Sequence, residues 1–219
     1  MSTQEHHARA ASSPRKDGIV SHKARGFSLL ETMVVVAITL IAASISFITL
    51  QPTLKQAHAN TAVNESFMWM RQYRQRAIDE RKRYILTFVA PRTIQISRWD
   101  FAQPVSPAPV LLYTETLPLD VSFQVVAGVP GGSPPDGFGN AGSAIDVGQG
   151  IGLGGLNYVV FMPDGSAQDQ VGNLNSGVMY MGRNGDLYSS RAITVYGATG
   201  RLRGWKLVNQ AGAPTWVQK

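Results

Sequence analysis

The sequence lacks cysteine and has few histidines, and both features restrict the chemistry available to the chain. None of its 219 residues is cysteine, so disulfide bonds and thiolate metal sites are excluded. Three of the four histidines, His6, His7 and His22, precede the first apolar segment. The fourth, His58, has no second histidine at a metal-ligand spacing and is interpreted as a surface helix residue. We therefore predict no enzyme activity and no bound cofactor or metal.

Acidic residues are also few, and they are scattered. The chain has 14 of them against 20 lysines and arginines, a formal net charge of +6 that favours anionic partners, either lipid head groups or nucleic acid. Several aspartates stand close to glycines, which is typical of turns rather than of a catalytic carboxylate pair. Calcium binding at such loops stays open, although the spacing of an EF-hand is absent. These residues are Asp136, Asp146, Asp164, Asp169 and Asp186.

One long apolar segment follows a polar N-terminal stretch. Residues 1–26 show no apolar periodicity and are predicted to be a cytoplasmic leader. The segment 27–50 has 24 residues, enough as a helix to cross a hydrocarbon layer of ~30 Å. Lys23 and Arg25 immediately precede it, so the positive-inside rule places the leader in the cytoplasm and the rest of the chain outside.

Glu31 is the one ionisable residue in this apolar segment. A charged side chain inside a membrane helix costs ~3 kcal/mol and is usually retained for a function or with a partner. It lies near one end of the segment, so its side chain could instead extend to the lipid head groups. The sequence leaves both interpretations open.

The residues around Glu31 resemble the processing site of type IV prepilins and type II secretion pseudopilins. Basic residues are followed by Gly26, Phe27 and, at the fifth mature position, Glu31. The resemblance implies that prepilin peptidase cuts after Gly26 and methylates Phe27. It also implies that Glu31 pairs with the terminal amine of a neighbouring subunit, and that the partners are other pilins or pseudopilins, the inner-membrane assembly platform and membrane lipid.

Residues 51–82 continue with the periodicity of an amphipathic helix. The apolar positions recur at spacings of three, four and seven, namely Ala59, Val63, Phe67, Met70, Ala77 and Ile78. The opposite face is basic and is interpreted as a solvated surface, with Arg71, Arg74, Arg76, Arg81 and Lys82.

Residues 83–219 are predicted to form a β-rich periplasmic head. Short β-type runs bounded by glycine, proline, asparagine or aspartate favour antiparallel pairing, with hairpins at 91–92 and at Asp164–Gly165. The fold class is α+β and pilin-like, with a long N-terminal helix packed on an antiparallel sheet. Segment 127–155 is glycine-rich and is predicted to be an exposed loop with an isolated strand at 144–147. The predicted strands are 84–90, 93–99, 110–115, 120–126, 156–162, 177–181, 192–197 and 201–208.

Three separate segments resemble the GspH/FimT subfamily of minor pseudopilins and minor pilins. They are an Arg-x-x-Ala-Ile helix end at Arg74–Ile78, a Pro-Asp-Gly-Ser turn at 163–166, and a Thr-Gly-Arg turn at 199–201. The resemblance implies a structural subunit of a type II secretion pseudopilus or a type IV pilus, acting at the filament tip or in the initiation of assembly. Its location would be the bacterial inner membrane and then the filament.

A DNA-binding function in DNA uptake is the alternative. In an extended strand Arg201, Arg203 and Trp205 share one face, and such a row can bind phosphates and stack on bases. The Gly-Arg-Leu-Arg sequence resembles the C-terminal motif associated with DNA binding in FimT-type minor pilins. The structural alternative is that Trp205 belongs to the core while the arginines protect an exposed sheet edge from aggregation.

Overall fold

The structure, a computed structural model, describes residues 26–99, 109–149 and 155–219, with the backbone alone at 48–53 and at Gln149. The chain divides into two compact units, 1–47 and 48–219, and helix α1 (Leu29–Glu80) contributes to both. In the first unit every described side chain is exposed, and Leu29–Phe47 is long and apolar enough to span a membrane. The predicted leader, apart from Gly26, lies outside the described residues.

The second unit contains the C-terminal part of α1 and a set of short strands. In the described ranges there are eleven strands and one 3₁₀ turn, Pro135–Gly137. The strands are β1 (Arg83–Val89), β2 (Thr93–Trp99), β3 (Val110–Thr116), β4 (Ser122–Phe123), β5 (Ile145–Gln149), β6 (Tyr158–Phe161), β7 (Ala167–Gln168), β8 (Ser176–Arg183), β9 (Asp186–Tyr196), β10 (Arg201–Gln210) and β11 (Ala213–Gln218).

The strands form two antiparallel sheets. The first has the order β3-β2-β1-β6-β7, and the second has the order β11-β10-β9-β8-β4 with β5 also paired to β8. Both predicted hairpins are present, because β1 pairs with β2 across residues 90–92 and β6 pairs with β7 across Asp164–Gly165. The predicted α+β fold with an N-terminal helix and antiparallel sheets is confirmed.

The core lies between α1 and the two sheets. Val63, Met70 and Ala77 of the predicted apolar stripe are buried in one cluster with residues of both sheets, such as Phe161 and Ile193. A large apolar side chain buried in this way stabilises the fold by roughly 1.5–3 kcal/mol, so the stripe fixes which face of the helix meets the sheets.

Strand β11 was not predicted, and it covers only the C-terminal part of β10. Its sequence contains Pro214, which disfavours a strand assignment but is tolerated in an edge strand. β11 pairs with β10 along Trp205–Gln210, whereas β9 pairs with β10 along Arg201–Lys206. Arg201 and Arg203 thus lie on the part of β10 that pairs with β9 alone, and the expectation that they protect an exposed edge stays a prediction.

The described part of the glycine-rich segment, residues 127–149 and 155, is more ordered than an exposed loop. Strand β5 is not isolated, since it pairs with β8, and Val147 is fully buried in the core. Val129 and Phe138 pack with Trp205 on a smaller apolar cluster of the second sheet. A few apolar residues placed opposite the sheet are enough to hold this segment, although its average composition is polar.

Candidate functional site

Gly26 and Phe27, the predicted cleavage site, lie exposed just before α1 begins. A Cβ added to Gly26 would meet no atom of the described residues within 4 Å, and the φ of Gly26 lies outside the left-handed region that favours glycine. Neither crowding nor backbone conformation in this structure requires glycine at position 26. The requirement for glycine at the cleavage site stays a prediction about the peptidase.

Glu31 lies in the first turn of α1, where it forms part of a helix cap that the sequence analysis missed. Its backbone N–H donates to Ser28 Oγ at 3.2 Å, and Thr32 N–H donates to the Ser28 carbonyl at 3.1 Å. Ser28 with glutamate three residues later has the spacing of a capping box, a signal visible in the sequence. The positive end of the helix dipole favours the carboxylate at this position. The side chain is surrounded along the helix by exposed apolar residues such as Leu30 and Met33.

The predicted row on β10 is present, but its members have different environments. Arg201, Arg203 and Trp205 occupy alternate positions of one strand. Arg203 Nη1 forms an ion pair with Asp136, and the Trp205 indole N–H donates to Thr194 Oγ1 at 3.1 Å. Arg203 and Trp205 are partly buried, whereas Arg201 is exposed.

Asp136 joins these contacts into one network. The Thr194 hydroxyl donates to Asp136 Oδ2, while Arg203 binds the other carboxylate oxygen. Trp205 is also packed against the cluster that contains Tyr180. The network holds the 3₁₀ turn on the outer face of the second sheet. Arg203 and Trp205 therefore have structural contacts that the predicted DNA-binding row did not include.

Arg201 instead belongs to a groove between α1 and the β9–β10 turn. This basic groove, with a volume of about 640 Å³, is lined by Arg71, Arg74, Tyr196, Thr199, Gly200, Arg201 and Leu202. The Arg71 guanidinium lies 4.2 Å from the Phe67 ring centroid, and the Arg201 guanidinium lies 5.9 Å from that of Tyr196. Among the described residues, no carboxylate lies within ion-pair distance of these arginines.

Arg74 holds the two turns that border the basic groove. Its Nε donates to the Gly165 carbonyl at 3.0 Å and its Nη2 donates to the Thr199 carbonyl at 2.9 Å. Gly200 has φ +60°, and a Cβ there would collide with the Gly165 carbonyl oxygen and with Arg74. Arg71 and Arg74 were interpreted as a solvated helix surface, and the structure shows that Arg74 instead connects the helix to both turns.

His58 is half exposed, as expected for a surface residue, but it also has a partner. His58 Nδ1 lies 2.9 Å from Asp120 Oδ2, and Arg183 Nε lies 2.8 Å from the same oxygen. Burial raises the pKa of Asp120, but the hydrogen bond with His58 and the nearby positive charges outweigh it and lower that pKa. This contact attaches α1 to β8.

The aspartates near glycines mostly act in turns. Asp164 accepts the Ser166 N–H at 2.8 Å, and the hydrogen bonds from the Ser166 side chain and backbone lower the pKa of Asp164. Asp169 accepts the N–H groups of Val171 and Asn173. Within the described ranges, no group of three or more histidine, aspartate or glutamate residues is placed to hold a metal ion.

The prokaryotic N-terminal methylation motif matches residues 21–47 of the chain. No curated protein and no solved structure matches the sequence. The matched range contains Gly26, Phe27 and Glu31, and it supports a type IV pilin-like protein that is processed by prepilin peptidase and assembles with other pilins. Together with the apolar helix Leu29–Phe47, it fits a single-pass protein of the inner membrane.

Proposed function

We propose that this chain is a GspH/FimT-type minor pilin or pseudopilin, a structural subunit of a type II secretion pseudopilus or a type IV pilus that acts at the filament tip or in the initiation of assembly. The observation that carries the proposal is a methylation motif leading directly into an exposed apolar helix, with a β-rich unit after it. An apolar surface of this kind needs lipid or other helices around it.

The contacts of Arg74 support the subfamily. The three segments that resemble GspH/FimT proteins are far apart in the sequence, yet Arg74 from the first binds the carbonyl of Gly165 in the second and of Thr199 in the third. The resemblance therefore falls on residues that together form one structural junction. Such a junction explains why an arginine, two glycine turns and a helix end occur together.

In the proposed mechanism the apolar helix serves two environments in turn. It first anchors the precursor in the inner membrane with the head in the periplasm. After cleavage at Gly26 and methylation of Phe27, it leaves the lipid and packs against the helices of other subunits. Glu31 then receives a counter-charge from the terminal amine of a neighbour, which offsets the cost of placing its carboxylate among apolar side chains.

Glu31 tests this mechanism. We expect Glu31→Gln to be cleaved normally but to lower the assembled fraction about tenfold, because a neutral amide loses a charge interaction worth roughly 1.4 kcal/mol or more. Assembly is measured as the share of protein in sheared filaments, and cleavage as the mass of the mature chain. Asp79→Asn, an exposed acid of the same helix, is the matched control and should assemble normally. Normal assembly of Glu31→Gln would contradict the mechanism.

DNA binding during DNA uptake is a second candidate function. It is favoured by the position of Arg201, which is exposed in the basic groove beside Arg71 and has no carboxylate partner among the described residues. Arg203 is a weaker candidate, since Asp136 already neutralises its charge. Trp205 is also a weaker candidate, since its indole N–H is used within the fold.

The two arginines therefore give different expectations for DNA binding. Arg201→Gln should weaken the binding of duplex DNA about three- to tenfold and reduce the salt slope by about one, whereas Arg203→Gln should have a smaller effect. The measurement is fluorescence anisotropy of labelled duplex with full-length protein in detergent at several salt concentrations. Equal affinity of wild type and Arg201→Gln at low salt would reject this function.

A further inference from the structure

Two grooves of opposite charge lie on either side of the exposed ridge of α1. The basic groove, described above, contains Arg71 and Arg201. The second, here called the acidic groove, has a volume of about 320 Å³ and lies between the helix and the edge strand β3. It is lined by Glu65, Met68, Trp69, Gln72, Glu115 and Thr116.

The charged side chains that line the two grooves form no ion pair among the described residues. Among the described residues, no cation lies within ion-pair distance of Glu65 or Glu115, as no carboxylate does for Arg71 or Arg201. In the same unit Arg203 is paired with Asp136, and Arg183 with Asp120. The acids of one groove and the arginines of the other are complementary in charge. Because the two grooves lie at separate places on one surface, they can contact each other only between two copies of the chain.

The acidic groove also adjoins exposed apolar surface. Met68 on the helix is 67% exposed, and Val110, Leu111 and Tyr113 on β3 are each more than half exposed. Within the described residues β3 is paired on one side only, so part of its backbone is available to a partner. Natural proteins usually protect an apolar edge strand, and an exposed apolar patch at a charged groove is typical of an interaction surface.

We propose that the acidic groove of one copy of this chain binds the basic groove of a second copy, with Glu65 and Glu115 facing Arg71 and Arg201. Because two different surfaces meet, the contact is heterologous and leaves one groove free at each end of a pair. The free groove at each end can then accept a neighbouring subunit of the filament. The inference rests on the proposed role as a filament subunit and names the partner of this surface.

Disulfide crosslinking tests the contact cleanly, because the chain has no cysteine of its own. Thr116→Cys places a thiol in the acidic groove and Thr199→Cys places one in the basic groove, and both positions are exposed and leave the charges intact. Full-length Thr116→Cys and Thr199→Cys proteins are mixed in membranes and oxidised. We expect the mixture to form at least fivefold more disulfide-linked dimer than either variant forms without the other. Val171→Cys, which is also at an exposed turn position, is the control partner.

Charge reversal then separates a specific contact from random collision. Arg201→Glu in the Thr199→Cys chain should abolish most of the crosslink, and Glu115→Arg in the Thr116→Cys chain should restore it. A crosslink that ignores both substitutions, or that forms equally with Val171→Cys, would overturn the proposal. The proposal is also overturned if substitution of Arg201 abolishes DNA binding at the basic groove while the groove cysteines give no crosslink.

A cysteine in the apolar helix Leu29–Phe47 distinguishes failure of this inference from failure of the proposed function. Ile41→Cys lies on the exposed apolar helix and reports association of the helices without the grooves. If Ile41→Cys crosslinks and the precursor is cleaved, but the groove cysteines give no mixed dimer, the groove contact is wrong and the pilin-like role stands. If the precursor is not cleaved and Ile41→Cys gives no crosslink, both are wrong.

Discussion

Replacement of Gly26 by phenylalanine is expected to leave the precursor uncut, so that Phe27 never becomes the amino terminus. The structure offers no internal reason for glycine here, since position 26 is exposed, has space for a side chain and does not adopt a left-handed φ. A bulky side chain would instead obstruct a peptidase that must reach the backbone. The measurement is intact mass and N-terminal sequencing of protein recovered from membranes.

Another glycine of the leader provides the control. Gly18→Phe carries the same change eight residues earlier and should be cleaved like the wild type. Gly26→Ala, a small addition, should be cleaved more slowly than wild type but faster than Gly26→Phe. Full cleavage of Gly26→Phe would mean that the methylation motif at 21–47 is not a processing site in this chain.

Local patterns predicted most of the helix and strand positions. The stripe containing Val63, Met70 and Ala77 is buried as its spacing predicted, because the helical period alone decides which side chains share a face. Strand β2 has the predicted bounds, Thr93–Trp99, since its alternation is strong and a proline turn precedes it. By contrast, the predicted strand 120–126 is reduced to Ser122–Phe123, because it lies where the chain crosses between sheets.

The candidate site was harder to predict because its residues meet only after folding. Arg74 binds carbonyls 91 and 125 residues further along the chain, and Arg203 pairs with an acid 67 residues before it. No periodicity connects such positions. The sequence therefore identified Arg201 and Arg203 as equivalent members of a row, whereas Asp136 makes them electrostatically different.

Arg191 is another residue that sequence analysis did not identify. It is fully buried, and its guanidinium donates to Asn60 Oδ1 and Gln56 Oε1, each at 3.0 Å, and to the Tyr188 and Ser190 carbonyls, each at 2.9 Å. All four acceptors are neutral. Burial lowers the pKa of Arg191, and Asp186 offsets this only in part. The cation on β9 is thus held by two side chains of α1, which join the helix to the second sheet.

Removal of both helix acceptors is expected to be strongly destabilising. Gln56→Leu combined with Asn60→Leu leaves the Arg191 guanidinium buried with two of its four acceptors missing, and each hydrogen bond to a charged group is worth about 1.5–3 kcal/mol. We expect a loss of about 3 kcal/mol in the free energy of unfolding, or roughly 6–12 °C in Tm. Thermal unfolding of the full-length protein in detergent, followed by near-UV circular dichroism, measures it.

The triple variant shows whether the buried charge is the cause. Adding Arg191→Met to the double variant removes the cation that had lost two of its acceptors, so stability should rise again by about 1–2 kcal/mol. This rise is expected even though the triple variant has none of the side-chain hydrogen bonds between Arg191 and helix α1. Recovery should be incomplete, because the Tyr188 and Ser190 carbonyls also lose their donor. Arg201→Met, an exposed arginine of the next strand, should change stability by less than about 0.5 kcal/mol. If the triple variant were less stable than the double variant, packing at these positions rather than the buried charge would dominate the junction.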